Sequence, residues 1–513
     1  MSLAGELSLW IALVMAAWTT TISLLGGVQR RADFVESGRR ATYVTFAFVL
    51  LATVGLWTAL LANDFAYTYV VSNISKNVPK VYVLSSLWAG EPGALLFCTL
   101  GLSAFASVFV ATNGRTQRTM TPWATAILGS ITLVMLAAIC FSTNVYERLD
   151  AIATDGRGMN PTLQSPGMAV YPAVLYVGLM STAIPLAIVI SALFGRCIDA
   201  RCMEAMRRWA LSSWLLLTFG LLIGVRSAYV DTGWNPGWVW NSGGSASVLP
   251  WLTITAVLYG MIGRTSRSAW RHWNLTVVAG TFLLAVFAAF SMRTGIVDGT
   301  RALGRSPVGL WTVCSLVSAA TLMTYLCSHR IPELRSATPV VNARRTRLGG
   351  VIAFGGMAVF LCAFIGQCFA TSTSTKVRTG ERISTIDPFG NAWTFTSLGM
   401  SQFEQLNRRI LAVSFSATQA QHRLGVIASE QREFINERGE SELEPIASAG
   451  ILTTPTQDVY VMFSGATDNE TAAVRIMFNP IVWCAWIGGA LMILGGIIAV
   501  WPRAQPSLAR VTK

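Results

Sequence analysis

Long apolar runs separated by short polar connections dominate this chain. Eleven such stretches lie near residues 7–27, 41–62, 93–112, 122–142, 168–195, 209–228, 248–263, 273–291, 307–327, 350–370 and 478–501. At about 1.5 Å of rise per helical residue, a run of about twenty residues crosses a hydrocarbon core of about 30 Å, so each run predicts one membrane-spanning helix. The run at 248–263 is short and needs its flanks to complete a crossing. Between 371 and 477 the pattern changes. Alternating apolar and polar positions in NAWTFTSLGM and QDVYVMFSG predict strands, whereas FEQLNRRI and QHRLGVIASEQREFINE fit either period.

These patterns predict an all-α polytopic membrane bundle of about 11 transmembrane helices, with a small β-rich extracytoplasmic domain before the last helix. The expected divisions are a bundle at 1–370 with a tryptophan-rich outer loop at 229–247, the β-rich domain at 371–477, and a final helix with a cytoplasmic tail at 478–513. No internal repeat or low-complexity tract interrupts this plan.

Composition agrees with the pattern. Hydrophobic residues make up 53% of the 513, charged residues only 12%, and the mean hydropathy is +0.52, all outside the range of a soluble domain. The formal charge of +13 would suit nucleic acid, but its distribution argues otherwise. Arg30, Arg31, Arg39 and Arg40, then Arg115 and Arg118, then Arg196, Arg201, Arg207 and Arg208 occupy alternate connections. Clusters at Arg264, Arg267 and Arg271, at 330–347, and at Arg503, Arg510 and Lys513 keep the alternation, which places these sides in the cytoplasm, the N-terminus out and the C-terminus in. The first run lacks a basic leader and a small-residue cleavage site, and reads as a retained helix. The nine cysteines form no CxxC pair and none lies between 371 and 477, so they read as small core residues.

One stretch stands apart. Residues 234–251 read WNPGWVWNSGGSASVLPW, placing Trp234, Trp238, Trp240 and Trp251 among glycine, serine, asparagine and proline on the outer side. Tryptophan gathers wherever a helix meets the membrane interface, so an aromatic belt accounts for the patch. A platform for a flat apolar ligand is the other reading, and composition alone favours the belt.

The order of several blocks resembles the CcmF family of cytochrome c maturation. Gly233–Leu252, GWNPGWVWNSGGSASVLPWL, is similar to the family's tryptophan-rich loop, with Trp234, Trp238, Trp240, Ala246, Ser247, Pro250, Trp251 and Leu252 on matching positions. YVVSNISKNVPKVYVLSSLWAGEPGALLF, GRGMNPTLQSPGMAVYPAVLY, MRTGIV and NPIVWCAWIGGALMILGG follow the family's order around it. The resemblance implies a haem lyase subunit, whose reaction joins haem vinyl groups to two thiols of an apocytochrome CxxCH segment. It also implies transient haem b, and as partners apocytochrome c, other maturation subunits of a multi-subunit complex and membrane lipid, but no nucleic acid. The location it implies is a bacterial inner membrane or the mitochondrial inner membrane.

On that reading Trp234, Trp238, Trp240 and Trp251 offer faces to the macrocycle, and Asn241 and Ser245 orient its edge. Arg226, inside a predicted span near its outer end, suits a haem propionate or snorkels to the interface, and Arg301 suits a propionate or a partner's carboxylate.

The departures are as informative. The three histidines, His272, His329 and His422, occupy none of the positions where the family ligates haem iron. Tyr171, Tyr259, Arg301 and Gly349 or its neighbour stand there instead, and Asn241 and Gly244 replace the acidic pair of the loop. Phenolate can ligate haem iron, which makes Tyr171 and Tyr259 candidate ligands, although either ring also fills the space of a lost histidine. The resemblance further implies that an even number of helices is missing between His329 and Leu348, which preserves sidedness. No Walker loop, GxSxG elbow, HExxH helix or CxxCH is present, and no catalytic residue is assigned. A structural subunit that kept this fold and lost haem ligation is the alternative reading.

Overall fold

The computed structural model describes residues 2–114, 119–160, 163–195, 200–231, 246–262, 268–291, 317, 344–405, 408–420, 422–435, 445–466 and 471–500. Helices α1 (Ser2–Gln29) and α2 (Ala32–Leu61) are followed by two short helices, α3 (Thr68–Asn73) and α4 (Lys80–Val83). Then come α5 (Glu91–Asn113), α6 (Thr121–Ser142), α7 (Pro166–Ser181), α8 (Ala183–Gly195) and α9 (Ala200–Asp231). After these lie α10 (Val248–Ile262), α11 (Ser268–Ser291), α12 (Arg344–Gly366) and α13 (Trp483–Val500).

Eight helical spans among the described residues are long and apolar enough to cross a membrane, and Val248–Met261 and Val277–Ser291 are shorter apolar helices. Ten of the eleven apolar stretches therefore contain a described helix. The stretch at 307–327 lies outside the described residues except for Val317.

The stretch at 168–195 departs from expectation. It forms two helices that meet at Thr182, whose hydroxyl donates back to the Leu179 carbonyl, and Pro185 begins the second without an amide proton to give. Its Pro166–Gly195 window is 83% buried, against 28% for Leu348–Phe369, so the broken span runs through the middle of the bundle. Two apolar cores result. One, built around Leu56, Leu60 and Tyr146, joins α1, α2, α5 and α6, and the other, around Leu179, Ile184 and Leu217, joins α5 to α11.

Nine strands lie between Thr371 and Pro480 in two antiparallel sheets. The first contains β1 (Thr371–Arg378), β9 (Thr471–Pro480), β8 (Gln457–Ala466) and β7 (Gly450–Thr453), in that order. The second runs β2 (Arg382–Ile386), β3 (Ala392–Gln405), β4 (Arg408–Gln419), β5 (His422–Phe434) and β6 (Ile446–Ser448). The described residues of the two segments that fitted either period are extended. FEQLNRRI covers the end of β3 and the start of β4, which pair antiparallel, and QHRLGVIASEQREFINE contains β5.

Inward residues of both sheets form one core. Trp393 and Phe395 stack at 5.9 Å, and Trp393 meets Phe478 of the other sheet at 5.6 Å. A further tie is polar. The buried Asp387, in the turn after β2, accepts hydrogen bonds from the Asn391 amide and side chain, from Trp393 Nε1, and from Gln457 Nε2 at the start of β8. Burial works against its charge, but these donors outweigh it and hold the carboxyl below the ordinary aspartate range.

Candidate functional site

Helix α9 leads directly into the tryptophan-rich loop, so its last turns set where that loop starts. Asp231 Oδ2 accepts from Ser165 Oγ at 2.9 Å and from Ser227 Oγ at 3.1 Å, tying the end of α9 to the start of α7. One turn earlier, Tyr229 donates to Asp458 Oδ2 at 2.5 Å, and Tyr460 donates to the Tyr229 carbonyl at 2.9 Å. The Ala449 amide reaches the Val230 carbonyl, so strands β6 to β8 sit on the end of α9. Burial pushes the Tyr460 phenol up, and the nearby Asp231 adds to the shift, so Tyr460 is a neutral donor. Val225, Tyr229, Ala363, Tyr460, Val482 and Ala485 close an apolar cluster beneath these bonds.

Two connections join at the entry to this end. Thr68 donates to Glu147 and Leu149 to Ala66, while Arg157 and Gly158 donate to Val71 and Ile74. Asp155 Oδ1 accepts from the amides of Lys76 and Gly156, so the turn at Asp155 secures the neighbouring connection as well as its own. Residues 62–90, 143–165, the end of α9 and the strands thus meet at one end of the bundle. Arg39, Arg40, Arg207 and Arg208 lie at the helix ends of the opposite pole.

The predicted cofactor residues divide into those the structure places and those it does not. Trp234, Trp238, Trp240, Asn241, Ser245 and Arg301 lie outside the described residues. Trp251 is placed, and its surroundings are helical rather than open. Its indole stacks on Trp214 of α9 at 6.4 Å, and its N–H donates to Thr218 Oγ1 at 2.8 Å. Trp214 reciprocates with a 2.8 Å bond to Thr255 on α10. The two indoles and two threonines form a closed clamp between α9 and α10, so the polar edge of Trp251 is committed to anchoring the loop. Trp214, Thr218 and Thr255 were missed in the sequence, where the only signal was W-x3-T occurring once on each helix. Arg226 is exposed, with its guanidinium 5.8 Å from the Tyr229 ring and 5.4 Å from that of Trp486. Cation–π contact with two aromatic faces holds it at the strand-bearing end.

Of the positions at which the resemblance puts iron ligands, the structure describes Tyr171, Tyr259 and Gly349. Tyr171 packs against Gly224, where an added Cβ would sit 3.2 Å from the ring. Tyr259 is 63% exposed and meets Phe354 edge-on at 5.9 Å. Gly349 faces α13 so closely that a Cβ there would lie 2.5 Å from the Gly495 carbonyl. No side chain fits at 349, so an axial pair between α10 and α12 does not fit. Among the described residues no group of three or more His, Cys, Asp or Glu is placed to hold a metal ion.

Residues 88–297, from the start of α5 past the tryptophan-rich loop, match the family described as Cytochrome C assembly protein. Over this segment the chain is similar to that family. The cytochrome c-type biogenesis protein CcmF of Pseudomonas fluorescens is 29% identical over 59% of this chain and 46% of its own length. CcmF of Escherichia coli K12 is 29% identical over 65% of this chain and 52% of its own. The chain thus spans about half the length of these relatives. The probable cytochrome c-type biogenesis protein NrfE of E. coli K12 is spanned almost fully, with 24% identity over 89% of this chain and 94% of NrfE. A solved structure titled cytochrome c heme lyase CcmF superposes with a TM-score of 0.80 over 98% of both chains at 18% identity, which shows a shared fold. The CcmF-like segment carries both halves of the Trp–Thr clamp and Asp231, so the family region and the anchored entry to the loop coincide.

Proposed function

We propose that this protein presents haem to apocytochrome c, as a haem lyase subunit, at the end of the bundle that bears the strands. The N-terminus and residues 371–477 face out and the C-terminus faces in, and the membrane is a bacterial or mitochondrial inner membrane. Trp234, Trp238 and Trp240 stack on the haem as substrate, with Asn241, Ser245, Arg226 and Arg301 toward its polar edge. Haem and the apocytochrome thiols supply the reactive groups, and the protein contributes orientation. One observation supports this reading: the end of α9, from which the tryptophan-rich loop continues, is tied to the start of α7 by the Ser165–Asp231 bond and to the strands by the Tyr229–Asp458 bond.

The test is complementation of a deletion strain, reading covalently attached haem on c-type cytochromes. Trp238→Leu with Trp240→Leu keeps apolar bulk and removes aromatic stacking. Membrane insertion at normal levels with strongly reduced haem attachment is expected, and full attachment leaves the tryptophans as an interfacial belt. Cysteines introduced at Val35 and Ile435 should label from opposite sides of sealed vesicles.

A second reading, a structural subunit that keeps the fold without ligating haem, is favoured by the closed contact at Gly349. It predicts that deletion dissociates a membrane complex while haem attachment continues through another subunit.

A further inference from the structure

The turn between β2 and β3 carries large apolar side chains that the core of the β-rich domain does not cover. Ile386 is 65% exposed and Phe389 54%, and the only charged residue between Ile383 and Phe403 is Asp387, which is buried. The Asp387 carboxylate accepts from the amides of Phe389 and Asn391, from the Asn391 side chain, from Trp393 Nε1 and from Gln457 Nε2. Gly390 closes the turn at a φ of +86°, a conformation that costs glycine nothing. The turn thus keeps its shape from within and leaves Ile386 and Phe389 outside.

A chain of contacts fixes its height. Gly366, at the end of α12, faces the junction of β9 and α13, where an added Cβ would lie 2.7 Å from the Pro480 carbonyl. Pro480 pairs with Gln457 across β9 and β8, and Gln457 donates to Asp387. The turn therefore lies at the level where the apolar spans Leu348–Phe369 and Trp483–Val500 end and begin. β2 descends to that level beside β1, with the Thr385 and Thr373 hydroxyls 3.2 Å apart. Phe369 and Trp483, both exposed, mark the same height with the aromatic residues of a membrane interface. The sheet order sets the lateral position. β6 adjoins the end of α9, β2 is the opposite edge of the same five-stranded sheet, and four interstrand steps of about 4.8 Å carry the turn about 20 Å away.

We propose that Ile386 and Phe389 seat in the interfacial layer of the bilayer, so that the β2–β3 turn docks the β-rich domain on lipid. An apolar side chain at that depth gains by leaving water, and the buried Asp387 brings no exposed charge against the acyl boundary. Lipid is the occupant because the turn shares its height with the two span ends, which the bilayer already surrounds at Phe369 and Trp483. The inference does not rest on the haem-presenting reading, since it concerns only how the domain is seated.

Photo-crosslinking of the full chain in phosphatidylcholine–phosphatidylglycerol vesicles tests it, with Phe389→p-benzoylphenylalanine as the probe. Mass spectrometry after illumination and digestion should find a phospholipid adduct on the β2–β3 turn. The same probe at Leu398, exposed farther along β3 from the turn, should give at least about fivefold less adduct. A probe at Ile386 replaces the one at Phe389 if the latter lowers the thermal midpoint. No lipid adduct at the turn, or equal lipid adducts at the turn and at Leu398, overturns the proposal. An adduct to a second copy of the chain, or to another protein when the experiment is repeated in native membranes, in place of lipid overturns it too, by making the turn a protein-docking surface.

Discussion

Two helix pairs of the bundle are closed by opposite means. Between α9 and α10 large side chains meet, Trp214 on Trp251, and each indole N–H ends on a threonine of the other helix. Between α12 and α13 there is almost nothing but backbone: Gly349 faces Gly495, and Gly356 faces Gly488 with a would-be Cβ 2.7 Å from its carbonyl. In hydrocarbon both strategies work, one through directional bonds and the other through close van der Waals approach of small residues. They differ in tolerance. A hydrogen-bonded clamp loses one bond per substitution, whereas a backbone contact has no room for any side chain.

A ligand type restored where the backbone closes should have the largest effect. Gly349→His should push α12 from α13 and cost about 3 kcal/mol or more, read as loss of folded protein from the membrane or a large fall in thermal midpoint. A stable Gly349→His protein would show that the helices can separate there and would reopen the axial site. The same measurement on Ala353→Gly, which removes volume without adding any, should show a much smaller change.

A polar tie of the clamp kind also joins the two sheets, through Asp387 and Gln457. Asp387→Ala leaves the Trp393 and Gln457 donors buried without an acceptor, and should cost about 2–3 kcal/mol. The pH dependence has a definite sign. The folded carboxyl titrates below its unfolded value, so its contribution is complete above the ordinary aspartate range, at about pH 3.9, and is lost as pH falls through the lower folded value. Thermal melts of the wild type should therefore fall more steeply in acid than those of Asp387→Ala. Parallel acid profiles would mean that the carboxyl is not held down by its donors.

The clamp should yield more gently. Trp214→Phe and Trp251→Phe keep an aromatic ring and delete one N–H each, and each should cost about 1 kcal/mol. Because the two hydroxyl groups are each bonded back to the other tryptophan's turn, through Thr218 to Trp214 and Thr255 to Trp251, the double variant should deviate from additivity. Strict additivity would separate them into two independent contacts.

How much of this was legible in the sequence depends on how local each signal is. Membrane spans are legible because their apolar runs are long and need no partner to be recognised, as at Thr121–Ser142. The break at Thr182 was hidden because both halves of the span are equally apolar, and only the hydroxyl bond and Pro185 mark it. Strand β5 escaped assignment because its inward residues, such as Ile427 and Ser429, alternate over too short a stretch within a polar segment. The clamp could not be read because W-x3-T has meaning only once α9 and α10 are known to be neighbours. The loop was the reverse case. Its tryptophans were conspicuous in the sequence, yet Trp251, assigned there to a cofactor, spends its polar edge on Thr218.

The smallest expected effect concerns the tyrosines at the two remaining ligand positions that the structure places. Tyr259 presents its ring to Phe354 from an exposed position, and Tyr171 lies against the backbone of α9 at Gly224. Neither contact uses the phenol oxygen, and a ring that acts by filling space is replaced well by phenylalanine. Tyr259→Phe and Tyr171→Phe should therefore change stability by less than about 0.5 kcal/mol. Haem added to the purified protein should give the same absorbance spectrum with either variant as with wild type. Phenolate ligation makes the opposite prediction: a high-spin spectrum lost specifically on removing the hydroxyl, with stability unchanged. That outcome from Tyr259→Phe would place iron beside α10 in spite of the closed contact at Gly349.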